Sequence, residues 1–254
     1  MDDYGPPRFD FADFIGELEA IQGLAKTEFL DASADWVFGQ LLTQLKQLRA
    51  NRGRSPLRWE VTQNSPLRTV ATNQYEPGER RGHCDVVGEI SWCWDLQNCF
   101  TSKGHVKEFE ICGNASVRLR VRGTENNSPE FAMWRIESGA VDSPGCYFHT
   151  QVLGDIDEPP FPKSLPVPRL PTLFVTPMSA IEFFLGELFQ DSWARRLVGN
   201  AHHLTFWNSM QRRHLTRLLD WKKDQIEACD NGSPWLALKR AKPRQKDTLF
   251  VEKK

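Results

Sequence analysis

Two long stretches of the chain alternate between apolar and polar residues, and the other elements arrange themselves around them. From Gly82 to Leu96, the residues Cys84, Val86, Ile90, Trp92, Trp94 and Leu96 alternate with His83, Asp85, Glu89, Ser91 and Asp95. From Glu108 to Arg122, Phe109, Ile111, Ala115, Val117, Leu119 and Val121 alternate with Glu108, Glu110, Asn114, Ser116, Arg118 and Arg120. A period of two held this long describes strands with one face in the core and one in water, as in an antiparallel sheet. The segment between them, Gln97 to Lys107, reads as a long mobile loop.

Shorter strands are expected at Leu57 to Thr62, Leu67 to Thr72, Phe131 to Ser138 and Gly145 to Leu153. Consecutive strands joined by polar turns make an antiparallel meander, here of roughly five to seven strands. The periodicity differs at both ends of the chain. Phe11, Phe14, Ile15, Leu18 and Ile21 repeat by threes and fours, which predicts a helix ending at Gly23. A second helix is expected from Glu28 to Ala50, with Trp36, Val37, Leu41, Leu45 and Leu48 as its apolar stripe. After the sheet, Thr176 and Pro177 form a helix start, a cap followed by a proline whose missing N–H costs nothing there. That helix runs to about Asp191, with a further helical stretch around Trp193, Leu197 and Val198. A last long helix over Ala201 to Ala228 carries Trp207, Met210, His214, Leu218 and Trp221 on one stripe.

Between sheet and helices lies a proline-rich segment, with Pro159, Pro160, Pro162, Pro166, Pro168 and Pro171. Proline fixes φ and cannot donate to a strand ladder, so this segment is expected to lie extended across the surface as an ordered strap. The reading is therefore one α+β domain over 1–254. Helices occupy 10–50, the sheet 57–153, the strap 154–176, further helices 177–228 and a basic tail 229–254. Residues 1–9 are expected to be a disordered or loosely docked lead-in, and the tail to be flexible apart from Trp235, Leu236 and Leu238.

Composition excludes a wholly disordered chain: 40% of residues are hydrophobic and 26% charged, ordinary values for a folded protein. The net charge of -1 gives no general attraction to nucleic acid or to acidic lipid. The charge is unevenly placed, however. Residues 1–50 carry nine Asp/Glu against four Lys/Arg, and residues 201–254 carry twelve Lys/Arg against six Asp/Glu. Such asymmetry marks either a partner surface or two chain ends that meet. No apolar run reaches the roughly 18 residues of a membrane span, and the acidic N-terminus is unlike a signal peptide. A cytoplasmic location, with no membrane partner, is expected. The six cysteines lack zinc-type or Cys-x-x-Cys spacing and read as free thiols.

The strongest candidate chemistry lies on the strand before the strap. His149 and Gln151 share a face, and Glu137 on the preceding strand is a cross-strand candidate. The strap brings Lys163 and Arg169 close in sequence, Arg169 within a stiff Pro-Val-Pro-Arg-Leu-Pro run. His149 as acid or base with Glu137, and Gln151, Arg169 and Lys163 as binding groups, would suit a phosphate- or carboxylate-bearing substrate. The bland alternative is a solvated sheet face with Arg169 anchoring the strap.

A Cys146–His149 thiol mechanism suffers from its spacing, since residues three apart on a strand face opposite ways. His83 and Asp85, with Glu108 or Glu110, lack any metal-type spacing, so neither metal nor cofactor is expected. His214 reads as a core histidine. Arg118, Arg120, Arg122 and Arg135 form a strip that suits single-stranded nucleic acid only weakly, because Glu89, Glu108 and Glu110 dilute it. Of the nine tryptophans, Trp59, Trp193 and Trp235 are candidates for a partner surface. Phosphate-binding glycine loops and the common hydrolase motifs are missing.

Two readings follow. The preferred one is a non-catalytic binding or adaptor protein working inside a protein complex, in context a bacterial cytoplasmic accessory subunit. The alternative is a hydrolase or transferase using His149, Gln151 and Arg169. Whether the chain is an enzyme is left open at this point.

Overall fold

The computed structural model describes residues 4–51, 53, 55–75, 85–124, 130–139, 145–152, 170–173, 176–199, 201–229, 232–244, 247 and 249–251. His83, Cys84, Lys163, Arg169 and most of the expected strap lie outside the described residues. The architecture is α+β. Among the described residues, five helices accompany one antiparallel sheet of eight strands, the surplus over expectation being very short strands.

The centre of the sheet is the hairpin of β4 (Val86–Phe100) and β5 (Val106–Gly123). Both strands reach further than expected: Gln97 to Phe100 pair with Glu110, Phe109, Glu108 and Val106, Lys107 falls out of register, and only 101–105 turn the chain. A bulge makes this possible. The register jumps between Trp94 and Leu96, and the Asp95 carboxylate accepts from the Asn114 amide at 2.9 Å in place of a ladder bond. On one side β4 pairs with β2 (Leu57–Val61) and β3 (Leu67–Arg68). On the other, β5 continues through β6 (Glu130–Ser138) and β7 (Phe148–Val152) to β8 (Leu170–Pro171).

The lead-in and the tail are both docked, against expectation. Arg8–Asp10 forms β1 and pairs with β5, because Phe9 is apolar, falls opposite Phe109 and stacks on it at 5.6 Å. From the other end of the chain, Phe250 stacks on Phe9 at 4.8 Å and is 1% exposed. The expected anchors of the tail behave oppositely: Trp235 is 77% and Leu236 42% exposed, while Leu249, Phe250 and Val251 are buried.

The helices cover the apolar sheet face. Asp10 caps α1 (Phe11–Phe29) by accepting from the Ala12 and Asp13 amides, and α1 continues past Gly23 through a break at Lys26, φ 39°. Arg196 satisfies the carbonyls near that break, donating to Leu24 at 2.9 Å and Gly23 at 3.3 Å. The second helix, α2 (Ala34–Ala50), therefore starts later than expected, and Trp36 in its first turn is 68% exposed. Trp59 and Trp193, expected as surface candidates, are buried; Phe14 packs edge-on to Trp59 at 5.3 Å. Each such ring contributes about 2–3 kcal/mol by burial.

Thr176 and Ser179 form a reciprocal capping box at the start of α3 (Pro177–Arg196), which stays one element across a bend at Gln190. It lies on β4 so closely that a Cβ at Gly88 would meet Phe184 and Leu188 at 2.6 Å. The long α4 (His202–Glu227) packs on α1, and α5 (Pro234–Arg240) packs on α4. The oppositely charged ends do meet: Arg213 of α4 pairs with Asp13 of α1. No helix among the described residues is long and apolar enough to cross a membrane.

Candidate functional site

Antiparallel register sets the geometry of the predicted site. Glu137 lies opposite His149 and Arg135 opposite Gln151, all on the sheet face away from the helices. Glu137, His149 and Gln151 are thus brought together, and Arg135 joins them. The His149 ring donates or accepts at both nitrogens: Nδ1 sits 2.9 Å from the Cys146 carbonyl, which can only accept, so Nδ1 carries a proton. The other nitrogen, Nε2, lies 3.3 Å from the Glu137 carboxylate and 3.4 Å from the Gln151 amide nitrogen. Gln151 in turn accepts from Arg135 at 2.6 Å, and Arg135 pairs with Glu137 at 3.1 Å.

Each member of this quartet has a partner for either state of the imidazole. Neutral His149 accepts from the Gln151 amide, and a protonated ring donates to Glu137. His149 is only 2% exposed. Arg135 was legible in the sequence only as part of a basic strip; its place here follows from the register of β6 on β7. Cys146 precedes β7 and meets His149 through its carbonyl.

The basic strip is divided among separate partners. Arg118 and Arg120 reach Gln63 at 2.6 and 3.4 Å. Glu89 lies opposite Arg120 in the register and takes Arg68 at 3.1 Å and Arg122 at 3.9 Å. A polar cleft of about 340 Å³ beside them is lined by Gln63, Ser91, Ser116 and Arg118 among others.

Thiol chemistry finds no support on this face. Burial pushes the thiols of Cys93 and Cys112 up, and that of Cys99, with Glu110 nearby, up to about 12. A thiolate at neutral pH is the reactive form, so these groups are quiescent. Cys93, Cys99, Cys112, Cys146 and Cys229 are all free. Among the described residues, no three His, Cys, Asp or Glu side chains converge as metal ligands.

A second polar cluster, missed in the sequence, lies where α1, α3 and α4 meet. Glu17 is fully buried and accepts from the Thr176 hydroxyl at 3.1 Å and from Gln211. Its second oxygen has no hydrogen-bond partner, nor has Nδ1 of His214, which lies 3.8 Å from the first. Burial pushes the Glu17 carboxyl up to about 7, with Asp13 and Glu182 adding to the shift. Burial likewise pushes His214 down to about 4, helped by Arg213 and Arg217. Glu182 is also raised by burial, while the Trp207 indole donates to it at 2.8 Å. The available signal was positional: Phe14, Glu17, Leu18 and Ile21 share one helical face. A carboxylate within an apolar stripe marks a buried charge or a buried acid.

Comparison with known proteins gives no further guide: no family model matches the chain, and neither does any curated protein or solved structure.

Proposed function

We propose that the protein is a non-catalytic binding protein that works in a complex, docking a partner protein on the face left by α4 and α5. The observation that carries this reading is the exposure of large apolar side chains on these two packed helices. Leu215, Leu219 and Ile226 of α4 are 38%, 50% and 39% exposed, and Trp235 and Leu236 of α5 are more so or similar. Leu215, Leu219 and Ile226 are spaced by four and seven, the stripe that a second helix packs against. The α5 segment, Pro-Trp-Leu-Ala-Leu-Lys-Arg, adds two cations and no acid. The partner is therefore a helix with apolar residues at the centre and acidic residues at its edge.

The enzyme reading has less behind it: Arg169 and Lys163 lie outside the described residues, and the His149 ring is buried with both nitrogens turned to groups of the protein itself. A cytoplasmic accessory subunit remains the context in which such a surface makes sense.

The test is native mass spectrometry of protein purified gently from its source, beside Leu219→Asp and Trp235→Ala. A protein partner retained by the parent and by His149→Ala, but lost from the two surface variants, is expected. A complex indifferent to both surface changes, or a retained small molecule displaced by His149→Ala, would overturn the proposal.

A further inference from the structure

A cavity of about 480 Å³ opens where the break in α1, the end of α3 and the start of α4 come together. Its lining shares no residue with the apolar stripe of α4, with α5 or with either buried polar cluster. Four nitrogen-bearing side chains reach the wall from three helices: Lys26 from α1, Arg195 and Arg196 from α3, and His203 from α4. Gly23 positions two of them. Arg196 donates to the Gly23 and Leu24 carbonyls, and Glu28, the one acid among the described lining residues, faces the same arginine at 3.9 Å. The His203 ring lies so close on Gly23 that a Cβ there would meet its Cδ2 at 2.8 Å.

Arg196 is thus a brace, and the charge left for a ligand belongs to the other three. Arg195 is steadied at one nitrogen by the Ser192 hydroxyl, which accepts at 3.1 Å. Neither the Lys26 ammonium nor the His203 ring has a hydrogen-bond or ion-pair partner among the described residues. Lys26, Arg195 and His203 are all exposed. Lys26 stands at φ 39° and ψ -170°, backbone that almost only glycine adopts without strain. A glycine would relieve that strain; lysine instead puts an amine on the cavity wall. Ala201, the N-cap of α4, is also on the wall and offers no side-chain acceptor to the first turn of its helix.

We propose that this cavity binds a small phosphate monoester. Donors supplied by three separate helices suit the three terminal oxygens of a phosphoryl group better than the two coplanar oxygens of a carboxylate. Leu24, Val198 and Ala201 make part of the wall apolar, and the volume leaves room beside the phosphoryl group for a compact organic substituent.

Isothermal titration of the intact protein at low salt with phenyl phosphate, inorganic phosphate and benzoate tests the proposal. Phenyl phosphate is expected to bind saturably, and about tenfold more tightly than either of the others, which lack its ring or its phosphoryl group. Lys26→Gln and His203→Gln are each expected to weaken that binding about tenfold. His202→Gln, which changes the neighbouring exposed imidazole outside the lining, is expected to leave it unchanged. Lys26→Gly suits the backbone at its position, so the loss it is expected to share with Lys26→Gln cannot come from a failure to fold. No saturable binding, equal losses in His202→Gln and His203→Gln, or full binding by Lys26→Gly would each overturn the assignment. So would inorganic phosphate or benzoate binding as tightly as phenyl phosphate.

Discussion

The two buried polar clusters use nearly the same residue types and reach opposite electrostatic ends. On the sheet, Glu137, His149 and Gln151 are joined by Arg135, whose cation balances the carboxylate and whose fork orients the amide. At the helix junction, Glu17, His214 and Gln211 have no cation bonded to the carboxylate, and one oxygen and one ring nitrogen go unmatched. The first arrangement can hold charge. The second favours neutral forms of both Glu17 and His214, which is why burial shifts them in opposite directions. The difference teaches that a buried acid and base do not form an ion pair merely by lying close; donors must fill the remaining valences.

Removing the cation is the largest way to break the comparison. Arg135→Ala removes the cation beside the partly buried Glu137 carboxylate and the donor to the Gln151 carbonyl, and a loss of about 3 kcal/mol in urea unfolding is expected. A loss below a quarter of that would mean solvent already balances Glu137.

The junction gives the converse. Glu17→Gln keeps an acceptor for Thr176 and Gln211 but removes the ionisable group. The folded pKa of Glu17 is raised, so its ionised form is disfavoured by folding, and stability falls as pH rises through the window from 4.5 to about 7. The variant is therefore expected to be about 2 kcal/mol more stable than the parent at pH 8 and equal to it at pH 4.

His214 works in the opposite sense. Its pKa is depressed, so its contribution is present above 6.5 and lost as pH falls toward about 4. Between pH 4.5 and 6.5 the two effects oppose, and the parent's stability is expected to be nearly flat there. Glu17→Gln exposes a curve rising with pH, and His214→Leu one that falls, each by about 2 kcal/mol. Parallel curves in the two variants would contradict this account.

The smallest effect concerns the hydroxyl that links the junction to α3. Thr176→Ala removes both the helix cap and the donor to Glu17, for an expected loss of about 1 kcal/mol. Because the donor favours ionised Glu17, the variant should also move its titration upward, as read by carboxyl NMR shifts.

The legibility of these features in the sequence followed from their physics. Alternation revealed β4 and β5 because each strand presents one face to the helices and one away from them. The meander order then made Glu137 a candidate neighbour of His149, and Glu137 does lie opposite His149. Arg135 escaped because register, not composition, decides which arginine faces which amide. Glu17 escaped because its neighbours fit an amphipathic helix well enough to hide one misfit. The lead-in and tail were misread for a related reason: Phe9 and Phe250 are single apolar residues in short segments, where no period can be measured. Their burial depends on each other and on Phe109.

That mutual dependence has a kinetic consequence. The Phe9–Phe250 stack joins residues far apart in sequence, and Phe250 follows all the described helices and strands in order of synthesis. Closing so long a loop is entropically slow, so this contact belongs to the last stage of folding. Until it forms, a nascent chain carries an assembled sheet with an open seam at Phe9. Substitutions there should accelerate unfolding while leaving the rate of collapse almost untouched.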